Sequence, residues 1–152
     1  MNPTDADDMT AMVEQYLRTA LWTWVDEDGG APFPGDEGYV DVTEVFDLRS
    51  IVHAISECRD FCEYVAECAE DDSDRIVGEP TWEEWQAASE ALTAMDPGQA
   101  GHDFWLTREH HGAGFWDRGL GVAGARLTDA AHTFGACDLW VSPGEPWSAT
   151  LG

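Results

Sequence analysis

No lysine offsets the acids of this chain, and that imbalance restricts every fold open to it. Thirty-one Asp and Glu face seven Arg, a formal net charge of −24. Like charges gathered into a compact state repel, so only a well-packed apolar core can hold such a chain folded. The material for one is present. Eight Trp and six Phe among 43% hydrophobic residues separate the chain from disordered acidic tails, which lack aromatics. A chain of 152 residues can bury such a core without disulfides, so a single domain over 1–152 is expected. The acidity is regional: residues 1–95 hold 24 acids and four Arg, net −20, whereas residues 96–152 hold seven acids and three Arg, net −4.

This charge argues against direct binding of nucleic acid or of an anionic membrane, and in favour of basic proteins as partners. No apolar run approaches the roughly 18 residues that read as a membrane-spanning helix. The polar start "MNPTDADDMT" does not read as a signal peptide, so the four Cys are expected to be reduced thiols in a cytoplasmic protein.

Thr4 begins an expected first helix, with Asp5, Asp7 and Asp8 in its first turn and Met9, Val13, Tyr16, Leu17, Ala20, Leu21 and Trp24 on one apolar face. Residues 26–39, rich in Gly and Pro, read as loop. A second helix is expected over Val45–Glu70. Thr81 and Glu84 form a capping box for a third, whose buried stripe is Trp85, Ala88, Leu92 and Met95, and "MDPGQAG" ends it. "DFWLTR" and "AGFWDR", joined by "EHHG", read as a β-hairpin. "VAGARLTDAAHTFG" reads as a helix, and "CDLWVS" and "PWSATL" as strands. The expected class is α+β: acidic N-terminal helices packed with a C-terminal ββαβ antiparallel unit.

"SECRDFCEYVAECAEDDSD", residues 56–74, offers two kinds of chemistry: three thiols, or eight acids against one Arg. On a wheel of about 100° per residue with Leu48 at zero, Leu48, Ile51, Val52, Ile55, Cys58, Cys62, Val65 and Ala66 fall from about 260° through zero to about 40°. That arc is the expected core face. Cys58 and Cys62 are then small buried hydrophobes, and Cys68 points away near 200°. Thiols spaced this way do not converge on a tetrahedral metal, and no cofactor or metal ion is expected. The acids Asp60, Glu63, Glu67, Glu70, Asp71 and Asp74 occupy about 40° to 140°, with Glu57 near 180°. With Glu83 and Glu84 they form a candidate partner-binding face. Acids every three or four residues stand roughly 5–6 Å apart along a helix, near the repeat of phosphates along a nucleic-acid strand. Such a ladder offers a DNA-binding protein an imitation of its usual ligand.

Residues 101–119, "GHDFWLTREHHGAGFWDRG", carry a second signal. With "YLRTALW" near the N-terminus, Leu127–Thr128 and "FGACDLWV" at 134–141, they resemble a family of small uncharacterised proteins of actinobacterial phages and mobile elements. There the run reads approximately DFWLTRNGHGAGFWDRG and the close FG-x-x-DLYV. This chain departs at Glu109–His110, where the family has Asn-Gly. The resemblance implies a viral or mobile-element setting, where inhibitors of host defence and of DNA transactions are common. It adds to the decoy reading.

The leading expectation is therefore a non-enzymatic DNA mimic in the host cytoplasm that occupies the basic surface of a host or phage DNA-binding protein, as anti-restriction or anti-CRISPR inhibitors do. Two others stand beside it. One is a small enzyme on the hairpin, with His111 as general base and Asp103, Arg108, Asp117 and Arg118 around it; His102, His110, His111, His132 and Cys137 could also meet at a metal. The other is a structural or assembly protein whose acidity serves only solubility or salt adaptation.

Overall fold

The computed structural model describes residues 1–24, 41–70, 80–142 and 148–152. Its class is α+β, with six α-helices and a C-terminal two-stranded antiparallel sheet among the described residues. Asp5 caps α1 (Ala6–Thr23), its carboxylate accepting from the amides of Asp7 and Asp8 at 2.9 and 3.2 Å. The helix thus starts just beyond Thr4, and Met9, Val13, Tyr16, Leu17, Ala20 and Leu21 are buried as the periodicity requires. The expected loop at 26–39 lies outside the described residues, as do residues 71–79.

The helix expected over Val45–Glu70 is two helices, α2 (Val42–Val45) and α3 (Leu48–Glu70). Phe46 between them is extended, buried, and bridged to Ala149. Asp47 then restarts the helix: its carboxylate accepts from the Ser50 amide at 2.7 Å and its carbonyl from the Ile51 amide at 3.1 Å. An acid meeting the free amides of a first turn is a start signal. The buried face of α3 is also not the expected one. Ser50, Ala54, Cys58, Phe61, Cys62 and Val65 are buried, whereas Leu48 is 76% and Val52 56% exposed. On the wheel this turns the core face by about 70°. The cause is tertiary: the Leu151 amide donates to Ser50 Oγ at 2.9 Å, and Phe61 stacks on Phe104 at 4.3 Å.

The capping box is present on α4 (Trp82–Ala94). The Glu84 amide donates to Thr81 Oγ1 at 3.3 Å, and the Thr81 amide to Glu84 Oε2 at 2.7 Å. Trp85, Ala88 and Leu92 are buried, and Met95 is half-buried. "MDPGQAG" ends α4 but also opens another helix. Asp96 caps α5 (Pro97–Arg108) by accepting from the Gln99 amide at 3.0 Å, and Pro97 takes the first turn. An N-terminal Pro costs nothing there because its missing amide would be unpaired anyway.

The expected hairpin is therefore replaced. "DFWLTR" is the second half of α5, and Phe115–Asp117 is a single 3₁₀ turn. Asp103 to Arg108 are all buried, and a helix covered on every side loses the periodicity that marks an amphipathic one. What remained legible was a run of aromatics, which imitates a strand. α5 crosses α1 so closely that a Cβ on Gly101 would stand 2.0 Å from the Met12 carbonyl oxygen. "EHHG" is the helix's C-terminal cap, with the His111 amide bonded to the Leu106 carbonyl (2.9 Å) and the His110 amide to the Thr107 carbonyl (3.1 Å). His110 itself adopts φ 56°, as a Schellman motif requires.

The C-terminal part continues with α6 (Val122–His132), β1 (Leu139–Ser142) and β2 (Ser148–Leu151), the strands paired from Leu139↔Leu151 to Ser142↔Ser148. The two expected terminal strands and the helix before them are present. The order is thus helix, 3₁₀ turn, helix and two strands in place of ββαβ. Phe61, Phe104, Phe115 and Phe134 meet at the centre, Phe104 and Phe134 edge-to-face at 5.4 Å, with Tyr16 against Trp105 at 5.1 Å.

A left-handed residue with a side chain carries a steric cost that Gly avoids. His110→Gly is therefore expected to raise unfolding stability by about 0.5–1 kcal/mol, measured by urea denaturation. An unchanged or lower midpoint would mean that the His110 ring, tilted against His132 at 4.5 Å between centres, outweighs the backbone strain.

Candidate functional site

The outer side of α3 presents Asp60, Glu63, Glu67 and Glu70, all exposed. Their spacing of three, four and three keeps them on one face over about 15 Å of axis. α4 extends this surface because the two helices are tied together. The Trp82 indole donates to the Ala69 carbonyl at 2.7 Å, and Tyr64 meets Trp85 edge-to-face at 6.0 Å. Glu83 is exposed at the start of α4. Glu90, one heptad on, is exposed and shares a shallow cleft with Glu70, Gln86 and Ser89. Sequence reasoning passed over Glu90, although its seven-residue interval from Glu83 places it on the same face.

Three other assignments change. Glu57 is not part of the outer face. It turns inward, only 20% exposed, and its carboxylate accepts from Arg108 Nη1. Glu84 is half-buried and committed to the capping box. Asp71 and Asp74 lie outside the described residues.

The polar residues of 103–118 divide into two internal nodes and two surface groups. Asp103 is fully buried on α5 and takes Arg118 on both oxygens at 2.6–3.1 Å, with Gln99 Nε2 at 2.8 Å. This pair clamps the 3₁₀ turn onto α5. Arg108, 3% exposed, donates to Tyr16 Oη (2.7 Å), Glu57, and the carbonyls of Gly135 (2.8 Å) and Phe134 (3.2 Å). Burial works against its charge, but Tyr16 and Glu57 hold the guanidinium above its ordinary pKa. His111 and Asp117 are exposed. No hydrogen bond joins His111 to Asp103, Arg108 or Arg118 among the described residues, so the base and the anion-binding groups of a catalytic reading are not assembled.

Cys58 and Cys62 are buried fillers, as expected. Burial pushes the Cys62 thiol up to about 12 and raises Cys58 and Cys137 as well. Cys137 Sγ lies 3.9 Å from His53 Nε2, and His102 Nδ1 lies 3.0 Å from Thr19 Oγ1. Among the described residues no three His, Cys, Asp or Glu side chains are grouped to hold a metal ion. No described helix is long and apolar enough to cross a membrane. Neither a protein-family model, nor a curated protein, nor a solved structure matches this chain.

Removing the carboxylate from Glu57 leaves a buried guanidinium short of its counter-charge. Glu57→Gln should cost about 3 kcal/mol of unfolding free energy, whereas Glu63→Gln should stay within about 0.5 kcal/mol, both read by chemical denaturation. Equal effects would contradict the inward and outward placement. In native protein at neutral pH, Cys68, the half-buried thiol, should react first with a disulfide reagent. The other three should wait for denaturant. Four equal native rates would show that the core admits solvent.

Proposed function

We propose that this chain is a non-enzymatic acidic binding protein that acts as a DNA mimic, occupying the basic DNA-binding surface of a host defence or DNA-transaction protein. The observation that carries this reading is the outer face of α3. Four exposed carboxylates, Asp60, Glu63, Glu67 and Glu70, lie on one helix of 23 residues, and Glu83 and Glu90 of α4 stand beside them. A helix is rigid enough to present charge at fixed intervals, as a nucleic-acid strand does. A basic groove can exchange its anions for such a ladder and gain the same entropy of ion release that drives its binding to DNA.

The arginines support the same reading. Arg108 is bound inside to Glu57, Arg118 reaches in from the surface to Asp103, and Arg18 and Arg126 pair with Glu14 and Asp129 on their own helices. These four cations are engaged away from the ladder, and among the described residues Arg59 alone stands on α3 at its edge, beside Asp60. The resemblance of residues 101–119 to phage and mobile-element proteins fits an anti-restriction or anti-CRISPR role in a host cytoplasm.

Immobilised protein should retain DNA-binding proteins at low salt and release them to added duplex DNA, with retention falling steeply as salt rises. The triple reversal Glu63→Lys, Glu67→Lys, Glu70→Lys should abolish retention while leaving the circular dichroism spectrum unchanged. Retention that survives the reversal, or that DNA cannot compete away, would overturn the proposal.

A further inference from the structure

The exposed face of α3 changes character along its length. Its C-terminal half carries the acids. Its N-terminal half shows Leu48 and Val52, 76% and 56% exposed, on the same side of the helix, within about 60° of Glu63 and Glu70 on the wheel. Beside them opens a cleft of about 400 Å³ between α1, α2 and α3, floored by Met9, Val13, Leu17, Val42, Ile51 and Ile55. Its acids are already engaged. Asp5 caps α1, and Glu14 accepts from Arg18 at 3.1 Å. A cleft of this size, mostly apolar with a few polar groups at the rim, suits one or two bulky apolar side chains.

Charge selects the occupant. Arg49 and Arg59 are exposed near this apolar half, so cationic groups are turned away from it and registered on Asp60 to Glu70. A second copy of this chain, at net −24, would bring two acidic surfaces together and is opposed at low salt. A basic protein with an apolar projection satisfies both halves at once.

We propose that α3 is a two-part docking surface for one such partner: its cations lie along Asp60–Glu70 while its apolar side chains pack on Leu48 and Val52 and reach from them into the adjoining α1–α3 cleft. This rests on the ladder reading and adds a contact that salt does not screen. Interfaces owe most of their affinity to a few buried apolar anchors, whereas exposed charge pairs chiefly steer and register. The distance from the cleft at Ile55 to the ladder's centre, midway between Glu63 and Glu67, is about 15 Å of helix axis, which sets the separation the partner must match.

The test uses two synthetic helical peptides about as long as α3. One bears Lys at three- and four-residue spacing over one half and Leu and Phe over the other; its sibling has Ser in place of Leu and Phe. Binding to the full chain is followed by fluorescence anisotropy at low and high salt, with Leu48→Ser/Val52→Ser and with the triple Lys reversal. Both Ser positions are exposed, so folding should survive, and circular dichroism checks it. The apolar peptide should bind about tenfold more tightly than its sibling and keep that advantage at high salt. The double Ser variant should erase the advantage while leaving the sibling's binding unchanged. Equal binding of the two peptides, both lost on charge reversal, would overturn the cleft and leave the ladder standing. Failure of both peptides at low salt, or indifference to charge reversal, would sink the ladder and this inference with it. Sedimentation showing a dimer that the double Ser variant dissociates would make a second copy the occupant and overturn the proposal.

Discussion

The fold turns on a positive charge buried in the middle of a negative protein. Arg108 sits at the end of α5 and bonds to α1 through Tyr16, to α3 through Glu57, and to the chain after α6 through the carbonyls of Phe134 and Gly135. Its guanidinium also lies 5.4 Å from the centre of the Phe104 ring. A buried charge is tolerated only when its hydrogen-bonding directions are met. Because those directions end on separate elements, meeting them fixes how the elements sit. Asp103 and Arg118 repeat the device locally, holding the 3₁₀ turn against α5.

That constraint reaches the surface through α3. Glu57 must face Arg108, and Phe61 must stack between Phe104 and Phe115, so the helix has little freedom to rotate. With one side held inward, Asp60, Glu63, Glu67 and Glu70 are turned out together, and so are Leu48 and Val52. The internal pairing thus shapes the proposed interface twice. It withdraws Arg108 from the solvent and holds Arg118 on a buried carboxylate, and it sets which side of α3 a partner would meet.

Local chemistry made parts of this legible. The capping box of Thr81 and Glu84 and the amphipathic stripe of α1 could be read directly, because both depend on neighbours a few residues apart. The outward position of the four acids followed from charge and spacing, since carboxylates seldom leave water without a partner. Glu57 is the exception that shows the limit. The wheel set it apart near 180°, but nothing adjacent to it in the chain marked it as inward, because its counter-charge comes from Arg108, 51 residues away. α5 hid for a related reason: covered by α1, α6 and the 3₁₀ turn, its buried second half carried no amphipathic period, although Asp96-Pro97 was a start signal.

Composition and short-range pattern alone were enough to establish that this chain is acidic, folded, mainly helical in its first half, and closed by two short strands. Tertiary structure decided which side of α3 is buried, that residues 103–108 are a helix, and which acid balances which arginine. Capping and amphipathic periodicity are properties of consecutive residues. The rotation of a helix and the pairing of buried charges are set by groups that only folding brings together.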